Sequence, residues 1–206
     1  MWEEALLLLA SVAIGFVVGS FPFSVWVVRW IAHADVRRSG DGNPGAINAW
    51  KAGGWMVGIS VLLLDVAKGG IPVALARFIF GIEGWALVLV ALSPIVGHAF
   101  SPWLRFRGGK GIAATFGVWS ALTFWVVPTT LGLFIAAIMI VQTVHAWTVM
   151  MAATATLVVL VLLRVEPSLI VAFALNLVFL AWTHRRELLC TPQVRAFSRS
   201  KSKGDA

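Results

Sequence analysis

Long runs of apolar residues, separated by short polar connections, recur along nearly the whole chain. A helix needs about 20 apolar residues to cross a bilayer, and the first three runs reach that length. Lipid cannot satisfy exposed backbone groups, and the chain lacks the alternating pattern of barrel strands, so each run predicts a helix. The predicted spans are residues 5–28, 55–80, 85–104, 112–127, 129–141, 147–163 and 168–182.

The last four runs are shorter than about 20 residues, which leaves two arrangements open. They form either four separate helices tilted into the protein, or pairs that merge into single spans and reduce the total from seven to five. Both totals are odd, so the two ends of the chain are expected on opposite sides of the membrane. The predicted fold class is an all-α, polytopic membrane helix bundle of about seven transmembrane helices.

Composition and charge agree with this fold and predict its orientation. Hydrophobic residues make up 60% of the 206 residues and charged residues only 12%, which excludes a soluble domain. One set of alternate connections holds only two cations, Arg77 and Arg164, so the N-terminus is predicted outside and the C-terminus in the cytoplasm. The other set holds thirteen: Arg29, Arg37, Arg38, Lys51, Arg105, Arg107, Lys110, Arg185, Arg186, Arg195, Arg199, Lys201 and Lys203.

Residues 1–190 are expected to form one transmembrane domain, and residues 191–206 a flexible, basic cytoplasmic tail. The first run follows Glu3 and Glu4, whereas a signal peptide begins with positive charge, so this span is expected to be retained. The basic residues do not form a coherent face on a folded module, so nucleic acid is not expected as a partner. The single cysteine, Cys190, excludes an intrachain disulfide.

A cationic, glycine-rich stretch separates the third and fourth runs, at residues 97–111. Glycine lets a backbone approach a ligand closely, and successive N–H groups in such a turn bind anions. A helix that starts near Ile112 would add its N-terminal amides. The stretch predicts a phosphate-binding cradle at the cytoplasmic surface, and the alternative is an ordinary positive connection with a glycine turn. The residues concerned are Arg105, Arg107, Gly108, Gly109, Lys110 and Gly111.

Three further polar features are predicted on the same side. Residues 35–48, rich in glycine, asparagine and charge, predict a non-helical connection that is either an ordinary loop or, with Lys51, part of a binding site. Asp65 and Lys68 are spaced to pair on one helix face inside the second span, as part of a site or as a purely structural ion pair. His98 is a candidate base or a hydrogen-bonded packing residue.

The chain lacks the sequence patterns of several covalent and metal-assisted mechanisms. It contains no Gly-x-Ser-x-Gly elbow, no His-x-x-x-x-Asp pair and no metal-ligand spacing of histidine, cysteine and carboxylates. Lys110 is followed by glycine rather than serine or threonine, which excludes a nucleotide P-loop. The chemistry that remains is a site of cations and amide donors suited to anionic substrates, without a metal or cofactor.

Four stretches of the sequence resemble the PlsY family of bacterial, acyl-phosphate-dependent glycerol-3-phosphate acyltransferases. Their order, spacing and placement relative to the apolar runs all fit, and the resemblance covers nearly the whole chain. The stretches are residues 19–22 (Gly-Ser-Phe-Pro), 40–48 (Gly-Asp-Gly-Asn-Pro-Gly-Ala-Ile-Asn), 65–69 (Asp-Val-Ala-Lys-Gly), and 97–98 (Gly-His) with 106–111 (Phe-Arg-Gly-Gly-Lys-Gly).

The resemblance implies a seven-helix enzyme of the bacterial inner membrane, a monomer whose site faces the cytoplasm. Such enzymes transfer a fatty acyl group from acyl phosphate to the 1-hydroxyl of glycerol 3-phosphate, giving lysophosphatidic acid and phosphate in phospholipid synthesis. Acyl phosphate is already activated, so positioning and electrostatic stabilisation can supply most of the rate without an enzyme nucleophile. The leaving phosphate can itself accept the hydroxyl proton. The implied partners are the two substrates and membrane lipid.

The resemblance also implies a role for the residues at the positions of the family's motifs. Catalysis is expected from Lys110, Asn43 and His98. The donor phosphate is expected at Arg107, Gly108, Gly109, Lys110 and Gly111, and the acceptor at Asp41, Asn43, Asn48, Lys51, His184 and Glu187. Ser20, Asp65 and Lys68 are expected to support the site.

The sequence departs from the family pattern in the acceptor region. Asp41 replaces a serine, Ile47 a threonine, Lys51 an arginine and Glu187 an asparagine. Two added carboxylates predict weak binding of glycerol 3-phosphate unless a nearby cation such as Arg37 pairs with them. Two alternatives stay open: the same fold with a different acyl acceptor, and a non-enzymatic carrier of an anionic lipid or phosphate. The chain shows no internal repeat, which favours an enzyme over a transporter.

Overall fold

The computed structural model describes residues 2–195, and all regular elements in this part of the chain are helices, as predicted. Of the predicted basic tail, residues 196–206 lie outside the described residues, together with Arg199, Lys201 and Lys203. The helices are α1 (Trp2–Gly19), α2 (Phe23–Ile31), α3 (Ala46–Gly53), α4 (Trp55–Ala74), α5 (Gly84–Ala99), α6 (Ile112–Thr123), α7 (Val126–Val141), α8 (His145–Leu162) and α9 (Pro167–Thr183).

Four helical stretches of the described chain are long and apolar enough to cross a membrane: Trp2–Ile31, Trp55–Ile79, Gly84–Leu104 and His145–Leu162. The helices α6, α7 and α9 are shorter apolar helices. They do not merge with their neighbours, since left-handed residues interrupt the backbone at Phe124, with φ of +52°, and at Arg164, with φ of +51°. The last four apolar runs are therefore four separate helices, and the number of membrane spans that they form stays a prediction.

The first predicted span, residues 5–28, is not one continuous helix. The helix α1 ends at Gly19 and α2 begins at Phe23, because Pro22 has no N–H group to continue the helical hydrogen bonds. The Ser20 hydroxyl donates to the carbonyl of Val17 at 2.7 Å. The Ser101 hydroxyl donates to the carbonyl of Ser20 at 2.6 Å. The break is thus stabilised by hydrogen bonds to its own helix and to the chain that follows α5.

The connection after α2 contains a helix that the sequence did not predict. Residues 35–48 were expected to be non-helical, but α3 begins within them, at Ala46, directly after Gly45. Gly45 and the glycines before it restrict only the preceding loop, so they do not prevent a helix that starts beyond them. The loop is held against α2, because the buried Ser24 hydroxyl donates to the carbonyl of Pro44 at 3.0 Å.

Glycines let α4 and α6 pack backbone against backbone. A Cβ atom on Gly70 of α4 would lie 2.7 Å from the carbonyl oxygen of Gly117 in α6. A Cβ atom on Gly117 would lie 2.8 Å from the amide nitrogen of Gly70. Helices in membranes associate through such close contacts, since lipid provides no hydrophobic driving force between them. The contact fixes the start of α6 relative to the polar residues of α4.

Candidate active site

A cavity of about 730 Å³ lies where α4, α6, α7 and α8 meet the connection after α2 and the turn after α9. Its volume is in the range typical of small-molecule sites. Both polar and apolar residues line the cavity. The polar lining includes Asp41, Asn43, Asn48, Lys51, Asp65, His98, Lys110, His145 and Glu187, and the apolar lining includes Leu62, Ile112, Phe116, Ile135, Met139 and Val149.

Lys110 lies between two carboxylates that are distant from it in the sequence. Its Nζ atom is 2.6 Å from Oδ2 of Asp41 and also contacts Oε1 of Glu187. The exposed fraction of the side chain is 17% for Lys110, 51% for Asp41 and 36% for Glu187. The lysine predicted to bind the donor phosphate and two residues predicted on the acceptor side therefore form one cluster. Arg37, the cation suggested as a partner for these carboxylates, pairs with Asp35 instead, at 3.0 Å.

The environment of the cluster keeps its ion pairs charged. Burial raises the pKa of Asp41, but hydrogen bonds from Lys110, Asn48 and the Asn43 amide outweigh this effect and lower the pKa to about 2. Burial lowers the pKa of Lys110, but its hydrogen bonds with Asp41 and Glu187 outweigh this effect and raise the pKa above its ordinary value. Asp41 and Lys110 are therefore both ionised at neutral pH.

The loop before α3 is organised around Asp41. The side-chain amide of Asn48 donates to Oδ1 of Asp41 at 2.6 Å and to the carbonyl of Asn43 at 2.9 Å. The backbone amide of Asn43 also donates to Oδ1 of Asp41, at 3.2 Å. Gly40 has a φ of +57°, and a Cβ atom there would lie 3.0 Å from Nζ of Lys51. Four of the predicted acceptor residues thus surround one turn at the cavity.

The glycine turn before α6 differs from the predicted cradle. The amide of Gly108 donates to the carbonyl of Ala99 at 2.8 Å, and the amide of Gly109 donates to the carbonyl of His98 at 3.1 Å. These two amides satisfy carbonyls at the end of α5 and are not free to bind a phosphate. Within the described residues, the amides of Lys110 and Gly111 donate to no protein acceptor. The free donors of this turn are therefore at Lys110 and Gly111, directly before α6.

A buried ion pair on α4 lies beside the polar half of the cavity. Nζ of Lys68 is 2.7 Å from Oδ1 of Asp65 and donates to the carbonyl of Phe21 at 2.7 Å. Nδ1 of His98 is 3.9 Å from the same Asp65 oxygen. Asp65 and His98 line the cavity, whereas Lys68 binds the break between α1 and α2. One partner of the pair thus faces the cavity and the other supports the fold, and the role of the pair in the site stays a prediction.

Six predicted site residues lie outside the cavity lining: Gly108, Gly109 and Lys68, which are described above, and Arg107, His184 and Ser20. Arg107, expected to bind the donor phosphate, is exposed and does not line the cavity. His184, expected on the acceptor side, is buried, with its Nδ1 atom 2.8 Å from the carbonyl of Leu180. Ser20 accepts a hydrogen bond from Nε1 of Trp103 at 3.2 Å and acts at the helix break, away from the cavity.

The structure also adds residues to the site that the sequence reasoning missed. His145 begins α8 and lines the cavity. It lies in a connection without cations, so charge gave no signal, although it is one of only four histidines in the chain. The Thr183 hydroxyl donates to the carbonyl of Lys110 at 2.9 Å, which holds the lysine backbone against α9. No local sequence pattern predicts this contact.

Comparison with known proteins points to one family. Residues 9–190 match the family model for glycerol-3-phosphate acyltransferase. A glycerol-3-phosphate acyltransferase from Synechococcus sp. (strain JA-2-3B'a(2-13)) is 34% identical over 180 residues, covering 87% of this chain and 88% of that protein. Glycerol-3-phosphate acyltransferase 1 from Thermotoga maritima is 43% identical over 122 residues, covering 58% of this chain and 60% of that protein. The matched stretch is thus less than two thirds of the Thermotoga protein.

Solved structures support the same relationship at the level of the fold. The crystal structure of PlsY, an integral membrane glycerol 3-phosphate acyltransferase, in its glycerol 3-phosphate form is 27% identical, with a TM-score of 0.78. The lysophosphatidic acid form of PlsY is 25% identical, with a TM-score of 0.80. Each comparison covers 88% of this chain and 90% of the other chain.

Proposed function

This chain belongs to the glycerol-3-phosphate acyltransferase family, and on that basis we propose that it is a membrane enzyme that transfers a fatty acyl group from acyl phosphate to the 1-hydroxyl of glycerol 3-phosphate. The products are lysophosphatidic acid and phosphate, in phospholipid synthesis. The observation that carries this proposal is Lys110, which enters one cavity with Asn43 and His98 and lies directly before α6.

The polar half of the cavity suits the charge that develops in this reaction. The hydroxyl oxygen attacks the acyl carbon, the bond from that carbon to the phosphate oxygen breaks, and the leaving phosphate takes the electron pair and the hydroxyl proton. Lys110 and the free amides of Lys110 and Gly111 can stabilise the phosphate oxygens. Asn43 and His98 are the candidates for orienting the hydroxyl, since both line the same cavity.

The apolar half of the cavity suits a fatty acyl chain. Leu62, Phe116, Ile135 and Met139 line it, next to the polar residues. An acyl chain bound among them would gain roughly 0.8 kcal/mol for each buried methylene group. The boundary between the two halves is where the carbonyl carbon of the donor would lie. This arrangement favours an amphipathic donor over a fully soluble one.

The charge distribution of the sequence supports a cytoplasmic site in a bacterial inner membrane. Lys51, Lys110 and Glu187 line the cavity, and all three belong to connections predicted on the cytoplasmic side from their lysine and arginine content. Acyl phosphate and glycerol 3-phosphate are anionic and do not cross a bilayer readily. A site at the cytoplasmic end would receive both substrates from the compartment in which they are made.

A reconstituted reaction tests the proposed function. Protein purified in detergent is incubated with acyl phosphate and glycerol 3-phosphate, and both phosphate release and lysophosphatidic acid are measured. Lys110→Ala removes a charge-assisted contact worth about 1.5–3 kcal/mol, so kcat/KM is expected to fall about 10- to 100-fold. Arg105→Ala, which changes a neighbouring exposed cation, is the matched control. Failure of the wild-type protein to form lysophosphatidic acid from these substrates would contradict the proposal.

The charges of the cavity favour one second candidate, acyl transfer to a less anionic acceptor. Within the described residues, three carboxylates but only two lysines line the cavity. They are Asp41, Asp65 and Glu187 against Lys51 and Lys110. An assay in which glycerol or an amino alcohol competes with glycerol 3-phosphate distinguishes the two acceptors by the mass of the lipid product. Exclusive acylation of glycerol 3-phosphate would remove this second candidate.

A further inference from the structure

We propose that Asp41 and Glu187 compete with a substrate phosphate for Lys110, and that they thereby set the affinity of the enzyme for its phosphate-bearing substrate. The inference rests on the proposed function, because the phosphate in question belongs to a substrate of acyl transfer. It concerns these two carboxylates, which the family pattern of serine and asparagine does not contain. Both are specificity-determining residues in this proposal, and neither takes part in bond formation.

Both carboxylates contact the ammonium group of Lys110, which is the group proposed to bind the substrate phosphate. Oδ2 of Asp41 is 2.6 Å from Nζ of Lys110, and Oε1 of Glu187 contacts the same atom. An ammonium group has three N–H donors, and two of them are directed to these oxygens. A phosphate that binds Lys110 with more than one oxygen must therefore displace at least one carboxylate.

The two carboxylates differ in how firmly they are held. Asp41 accepts hydrogen bonds from the side chain of Asn48 at 2.6 Å and from the Asn43 amide at 3.2 Å, in addition to Lys110. Within the described residues, the Glu187 side chain has Lys110 as its polar partner. Glu187 is therefore the group that a phosphate displaces first, while Asp41 keeps its place in the loop before α3.

The solvent exposure of Asp41 and Glu187 determines how strongly they compete with a phosphate for Lys110. Asp41 and Glu187 are 51% and 36% exposed, so solvent screens both ion pairs. Exposed pairs of this kind change an equilibrium constant by about twofold to fivefold each. Intramolecular groups nevertheless compete at high effective concentration, because they are already beside the lysine. The expected result is a raised KM for the phosphate-bearing substrate, with little effect on kcat.

Isosteric variants test this competition. Asp41→Asn and Glu187→Gln remove charge but keep shape, and each is expected to lower the KM for one substrate about twofold to fivefold. The effect on kcat is expected to stay within about twofold. The KM values for glycerol 3-phosphate and acyl phosphate are measured separately, and the one that falls identifies the substrate whose phosphate binds Lys110. Asp35→Asn, which changes a carboxylate paired with Arg37 in the same connection, is the control.

Binding of inorganic phosphate, measured by calorimetry on the same purified proteins, gives a readout that needs no turnover. Tighter phosphate binding by Glu187→Gln than by wild type supports the competition, even if acyl transfer from acyl phosphate were not observed. Unchanged or weaker phosphate binding in both folded variants, together with unchanged KM values, would overturn it. Thermal unfolding of each variant shows whether the fold is intact, and Glu187→Ala provides a second substitution at the same residue.

Discussion

Gly109 packs against the imidazole ring of His98 so closely that no side chain fits between them. A Cβ atom at residue 109 would overlap Nε2 of His98, so Gly109→Ala must push the ring away from its position beside Asp65. We expect kcat/KM to fall about 10- to 100-fold, since a displacement of this size misplaces a group in the cavity.

A double variant shows whether this loss acts through His98. If it does, Gly109→Ala combined with His98→Ala has the kcat/KM of His98→Ala alone, because the ring that alanine displaces is already absent. Strictly additive losses in the double variant would instead indicate that Gly109 contributes by another route, such as the hydrogen bond between its amide and the carbonyl of residue 98.

The buried pair of Asp65 and Lys68 is expected to be more costly to break than to remove. Asp65→Asn leaves the Lys68 ammonium buried without its counter-ion, which typically costs about 3–5 kcal/mol of unfolding free energy. Asp65→Asn with Lys68→Met removes both charges and is expected to recover most of that loss. Recovery stays incomplete, because the carbonyl of Phe21 loses the Lys68 donor and keeps the Phe23 amide. Thermal unfolding in detergent measures all three proteins, and a double variant no more stable than Asp65→Asn would contradict the expectation.

The pKa of Asp41 predicts how its ion pair responds to acid. The pKa is about 2 in the folded protein and about 3.9 in an unfolded chain. Because the folded value is the lower one, the pair stabilises the fold fully above about pH 5, and the contribution is lost as pH falls through 2. The ion pair contributes about 1 kcal/mol or less to the free energy of unfolding, since Asp41 is half exposed. The stability difference between wild type and Asp41→Asn should therefore shrink from pH 7 to pH 3, and a constant difference would count against the pair.

The single cysteine provides a direct test of the predicted orientation. Cys190 is exposed, in the turn after α9. A membrane-impermeant thiol reagent is expected to miss it in intact cells and to label it after permeabilisation. In a Cys190→Ser background, a cysteine introduced at Glu3 is expected to be labelled from outside. The opposite pattern at the two positions would show that the N-terminus is cytoplasmic.

The helices could be predicted from the sequence wherever a long apolar run must satisfy its own backbone hydrogen bonds in lipid. The start of α6 at Ile112 is confirmed, because the apolar run begins directly after the glycine turn. The break at Pro22 was missed, since the apolar residues on its two sides read as one run. The helix α3 was missed for the opposite reason, as the glycines before Ala46 obscured the short helix that follows them.

The sequence predicted which connections contribute residues to the candidate cavity, but not the contacts between those residues. Charge placed Asp41, Lys110 and Glu187 in connections on one face, and all three line one cavity. Their convergence into one cluster depends on how three separate connections fold over the bundle, which no local pattern encodes. The same limit applies to Gly108 and Gly109, whose amides looked free in the sequence and instead bond the end of α5.

The glycine contact between α4 and α6 has a consequence for how this site can evolve. Gly70 and Gly117 fix the two helices through backbone atoms, so their register does not depend on side chains in the connecting loops. The side chain of Lys110, in contrast, is positioned by Asp41 and Glu187, so exchanging these residues alters the site through the loops. A lineage can therefore retune its substrate one loop substitution at a time, while natural selection preserves the helices beneath.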